Sequence, residues 1–106
     1  IHVSDLAAIH VAALEDLAVN GENRVLNCGY GHGHSVAEVV AAVKEVSGAD
    51  FLVRLAERRA GDPPALVADA TRLRRLYGWK PRFDDLHLIV RTAIDWERSL
   101  AARDAG

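Results

Sequence analysis

Three stretches of this chain carry both a helix start and a helix stop. Ser35 and Glu38 form the S-x-x-E pattern, in which each side chain reaches the other's backbone N–H, and Gly48 closes the segment. Between them Val36, Val39, Val40, Val43 and Val46 form an apolar stripe. Valine is a weak helix former because it is β-branched, so packing must hold this helix. Ser4-Asp5 and Asn20-Gly21 bound a second segment, with Leu6, Ile9, Ala13, Leu14 and Leu17 at helical spacing. Asp69 and Gly78 bound a third around Leu73 and Leu76. A fourth starts at Asp84 or Asp85, aligns Leu86, Ile89, Ala93, Trp96 and Leu100, and frays in "AARDAG".

The runs between these helices read as short strands. Ile1-His2-Val3 opens the chain, "RVLNC" occupies residues 24–28, and "DFLVRLAE" at 50–57 puts Phe51, Val53 and Leu55 on one face. Leu66-Val67 is a further short run. The expected fold class is therefore α/β, with about four helices and three to four short strands in the order β-α-β-α-β-(β)-α-α. No repeat or linker divides the chain, so residues 1–106 are expected to form one domain. The chain lacks methionine and opens inside a strand-like run. It is thus expected to be a piece of a longer protein, with its sheet continued in sequence outside it.

Composition excludes several classes. Half of the residues are hydrophobic and the net charge is −2, so no nucleic-acid or anionic-membrane surface is expected. Arg72, Arg74 and Arg75 read as a solvated helix face. No run reaches membrane-spanning length and no signal peptide opens the chain. The single cysteine, Cys28, forbids an intrachain disulfide. A cytoplasmic location is expected.

"NCGYGHGHS", residues 27–35, sits where phosphate-binding glycine loops sit, between a strand and a helix. Its glycines are Gly29, Gly31 and Gly33, with His34 next, which misses the dinucleotide spacing G-x-G-x-x-G. A tight turn explains them. His32 and His34 lack the partners of a zinc site, so no metal is expected. His10 reads as a packed histidine. Ser4, Ser35 and Ser47 lie at or near helix ends, Cys28 has no neighbouring cation, and no Tyr-x-x-x-Lys pair occurs, so no catalytic residue is expected.

"ERRAGDPPALVADA", residues 57–70, is the exception to this plainness. Arg58 and Arg59 stand together before a Gly61-Asp62-Pro63-Pro64 turn. Neighbouring residues of a strand face opposite sides, so only one arginine can enter a given site. A guanidinium fork suits phosphate oxygens, and a fixed carboxylate suits paired sugar hydroxyls. Cation and carboxylate together could read a ribose diphosphate. A surface ion pair on a proline-rich turn accounts for the same residues.

Here the sequence resembles the C-terminal part of UDP-glucose 4-epimerases, of the extended short-chain dehydrogenase/reductase superfamily. "IHVSDLAAIHVAAL", "NCGYGHGHSVAEVV", "ERRAGDPPALVADATRLRRLYGWKP" and the final helix with Trp96-Glu97 occur in family order. The resemblance implies that Arg59 binds the UDP pyrophosphate and Asp62 the uridine ribose, with Arg58 and Leu66 as neighbours. Leu66 stands where some epimerases carry a sugar-pocket tyrosine. The family interconverts UDP-glucose and UDP-galactose through an NAD-dependent 4-keto intermediate. Its dinucleotide fingerprint and Tyr-x-x-x-Lys pair belong to an N-terminal Rossmann half that is absent here. This implies a homodimeric, NAD-bound full-length isomerase, and an inactive chain that supplies only the grip on UDP. Two alternatives stand beside it: a non-catalytic nucleotide- or protein-binding module, and the same portion of another nucleotide-sugar epimerase or dehydratase.

Overall fold

The computed structural model describes all of residues 1–106. It contains four helices: α1 (Val3–Asn20), α2 (Val36–Ser47), α3 (Thr71–Tyr77) and α4 (Leu86–Asp104). There is no strand, which corrects the α/β expectation: the chain is all-helical. The reason lies in pairing. Residues 24–28 do alternate, with Arg24, Leu26 and Cys28 half-buried and Val25 and Asn27 exposed. Their backbone makes no bond to another backbone segment, however, and a strand exists only in a ladder. The 50–57 run fails earlier, because Leu55 of its supposed inner face is 98% exposed. The opening run is not a strand either, since α1 begins at Val3.

The chain divides into two compact units. One comprises Ile1–Gly33 and Val67–Asp84, the other His34–Leu66 and Asp85–Gly106. In the first, Ile9 of α1, Leu73 of α3 and Ala70 form the core, flanked by Leu26, Cys28, Tyr77 and Trp79. The cap of α1 differs from expectation. His2, not Ser4, is the N-cap, and its Nδ1 accepts from the Ser4 amide at 3.0 Å. Asp5 is thereby released into the helix and buried. His10 is exposed, its Nδ1 2.8 Å from the Leu6 carbonyl, rather than packed. Asp69 precedes the true cap Ala70, and its carboxylate binds the Thr71 amide and hydroxyl.

In the second unit α2 packs against α4. The capping box is complete: the Ser35 amide donates to Glu38 at 2.6 Å, and the Glu38 amide to Ser35 Oγ at 3.2 Å. Gly48 ends the helix in the left-handed conformation that glycine adopts without strain. Asp85 caps α4 through the His87 and Leu88 amides. The buried face of α4 centres on Val90, with Leu86 and Ile94 one turn away on either side. Trp96 stays 55% exposed, under the Arg103 guanidinium. Replacing Ser35 by alanine removes one half of the box and should cost about 1 kcal/mol. Thermal melts of the two chains would measure it.

Candidate functional site

The Arg58–Leu66 loop lies wholly in the second unit. Arg59 Nε donates to Asp62 Oδ2 at 3.0 Å. The Asp62 amide returns to the Arg59 carbonyl at 3.4 Å, so side chains and backbone close one turn. Gly61 sits at φ +87°, a conformation that disfavours side chains. The Arg59 side chain is 86% exposed and that of Asp62 48%. Their bond occupies Nε and one carboxylate oxygen. The terminal nitrogens of the guanidinium and the second carboxylate oxygen are left to meet a ligand. Exposed pairs of this kind contribute about 0.2–1 kcal/mol, so a phosphate or a ribose diol can displace either partner at little cost. Arg58 is exposed and makes no ion pair, and Leu66 is 87% exposed. The sequence placed Arg59 and Asp62 on one rigid turn, and there they touch.

The first unit holds a buried polar cluster that sequence reasoning missed. Asp5 is 1% exposed. Its carboxylate accepts from the Tyr30 hydroxyl at 2.7 Å, the Arg82 amide at 3.0 Å and the Phe83 amide at 3.0 Å. Tyr30 Oη in turn accepts from the His2 amide at 2.9 Å. Burial pushes the Asp5 carboxyl up, but Tyr30 and the two amides outweigh burial and hold it below the ordinary carboxylate range. Burial, with the Asp5 carboxylate close by, pushes the Tyr30 phenol up to about 12. No local signal marks Asp5, since an aspartate in a first helical turn is ordinarily exposed, and its donors lie at Tyr30 and at residues 82–83. Arg74, expected to be solvated, donates to the Tyr30 carbonyl at 2.8 Å.

The glycine turn serves packing. A Cβ at Gly29 would fall 2.8 Å from Ala68 Cβ, and one at Gly33 would fall 2.9 Å from Val67 Cγ2. Gly29→Ala must therefore shift backbone, since Ala68 Cβ cannot rotate away, and should cost about 1–3 kcal/mol. Denaturant melts would read the loss. His32, beside the turn, meets Asp84 at 2.8 Å. No three His, Cys, Asp or Glu side chains gather at metal-binding distance. No helix is long and apolar enough to cross a membrane.

No family model matches the chain. The UDP-glucose 4-epimerase of Azospirillum brasilense is 55% identical over 100 residues, which is 94% of this chain and 29% of that protein. The solved UDP-Glc/GlcNAc 4-epimerase of Campylobacter jejuni matches 93% of the chain with a TM-score of 0.81 at 53% identity. The chain is homologous to the C-terminal part of UDP-glucose 4-epimerases. The Stenotrophomonas maltophila UDP-glucose 4-epimerase, solved with bound NAD and formylated UDP-arabinopyranose, superposes with a TM-score of 0.87 at 38% identity over 97% of the chain. The chain spans about 30% of the length of each of these epimerases.

Proposed function

We propose that this chain is the substrate-side C-terminal part of a UDP-glucose 4-epimerase, and that its Arg58–Leu66 loop grips UDP. Arg59 holds the pyrophosphate with its guanidinium fork, and Asp62 accepts from the ribose hydroxyls. The observation that carries this reading is the Arg59–Asp62 turn itself, exposed and weakly self-paired, in a chain homologous to UDP-sugar epimerases. The full-length protein would interconvert UDP-glucose and UDP-galactose.

NAD is bound in the Stenotrophomonas relative. The residues of this chain do not fit the dinucleotide. A side chain at Gly29 or Gly33 would run into Ala68 or Val67, and the Glu38 amide at the start of α2 is taken by Ser35 Oγ. The turn is packed against Ala68 and Val67, and its glycine spacing misses G-x-G-x-x-G, so it makes a poor dinucleotide cradle. The dinucleotide site is therefore assigned to the rest of the longer protein, and the chain alone should turn over no UDP-galactose. A coupled epimerase assay on the purified chain tests this, and measurable turnover would refute it.

The Campylobacter relative is a UDP-Glc/GlcNAc 4-epimerase, which favours a second reading within the same class. The full-length protein would then also accept N-acetylated UDP-sugars. Leu66, apolar and 87% exposed, offers a sugar no hydrogen bond that could exclude them. Comparing the two substrates on the full-length protein separates the readings.

A further inference from the structure

Helix α1 is apolar on two sides. The inner side carries Ile9, with Leu6 and Ala13 half-buried beside it. The outer side carries Val3, Ala7, Val11, Leu14 and Ala18, all exposed, with Val3 at 72%, Val11 at 57% and Leu14 at 67%. They recur every three or four residues and so share one face, and no charged residue belongs to the stripe. A surface helix of a globular protein turns a polar face to water, and one that is apolar all round is an interior helix.

We propose that the outer face of α1 docks an apolar face of the longer protein's preceding part. The homologous epimerases are about three times longer and this chain matches their C-terminal part, so in a protein of that length most of the sequence precedes the matched residues. α1 starts at Val3, two residues after Ile1. A partner tethered there meets the stripe at high effective concentration, whereas a second copy must do so at the bimolecular cost. Ala7 and Ala18 leave room for close approach, and helix spacing shortens with the side chains at the contact. The proposal rests on the homology to longer epimerases and not on the UDP loop, so either can fail without the other.

The test is a chimera in which this chain replaces the 100 matched residues of the Azospirillum enzyme. Leu14→Cys is introduced into the isolated chain and into the chimera. Maleimide labelling is followed peptide by peptide, which separates it from Cys28. Labelling should be fast in the isolated chain and at least roughly tenfold slower in a chimera that melts cooperatively, as expected for a buried site. Val11→Lys should leave the melt of the isolated chain unchanged and lower that of the chimera by about 5 °C or more. If the lysine variant of the chimera does not fold, the labelling contrast alone decides. Equal labelling in a folded chimera would overturn the proposal. So would an isolated chain that dimerises and protects Leu14→Cys, because a second copy would then own the face.

Discussion

Asp5→Asn is expected to destabilise the first unit by about 3 kcal/mol, from the loss of charge-assisted hydrogen bonds and the burial of an unmatched amide. The wild-type carboxylate offers acceptors to every donor around it: the Tyr30 hydroxyl and the Arg82 and Phe83 amides. Asparagine keeps the shape but turns one oxygen into a donor that faces other donors. The cluster ties the first turn of α1 to the glycine turn and to residues 82–83, so its loss should loosen all three. A small domain has only a few kcal/mol to spare, so the variant should melt well below the wild type. Thermal melts followed by circular dichroism read this directly. The pH dependence has a definite sign. The folded carboxyl sits below its ordinary range, so its contribution is complete above the unfolded value near 3.9 and is lost as pH falls through the folded value. Wild type should lose stability below about pH 4, and Asp5→Asn should show a shallower acid slope, with Asp16, Glu38 and Asp69 supplying what remains. Tyr30, raised to about 12, acts at the other end. Its contribution is complete below the ordinary phenol value near 10 and is lost as pH rises through 12.

Arg59→Ala and Asp62→Ala are each expected to weaken UDP binding by roughly 10- to 100-fold, the worth of a hydrogen bond to a charged group. Neither should change the melt, because the side chains are 86% and 48% exposed and their mutual bond contributes little. Arg59→Lys separates charge from shape. It keeps the cation and loses the planar fork, so its affinity should fall between wild type and alanine. Raising salt should weaken the Arg59 contribution more than that of Asp62, whose partners are neutral hydroxyls.

Local signals were legible in the sequence, and partner-dependent ones were not. The Ser35–Glu38 box and the Gly21, Gly48 and Gly78 stops lie where the residues alone placed them, because each is decided within one helical turn, and Asp85 is the cap of the two aspartates offered; the caps expected at Ser4 and Asp69 fall instead on His2 and Ala70. The Arg59–Asp62 turn was legible for the same reason. Strands were misread because alternation records which side faces a core, while a strand also needs a second backbone. Residues 24–28 have the first without the second. The face of α4 was misplaced at Trp96 because spacing defines a stripe only to within a neighbouring residue, whereas the contact with α2 selects Val90 and its neighbours. Asp5 and Tyr30 were missed because they are 25 residues apart, and their bond appears only once α1 and the glycine turn are folded together.

The most direct test of the central claim is a calorimetric titration with UDP of the Azospirillum chimera carrying this chain, repeated with Arg59→Ala and Asp62→Ala. Saturable binding that each substitution weakens at least roughly tenfold, with the melt unchanged, is the expected result. UDP affinity that both substitutions leave within about twofold of wild type would be under 0.5 kcal/mol of change, and would mean that the loop is a turn and nothing more.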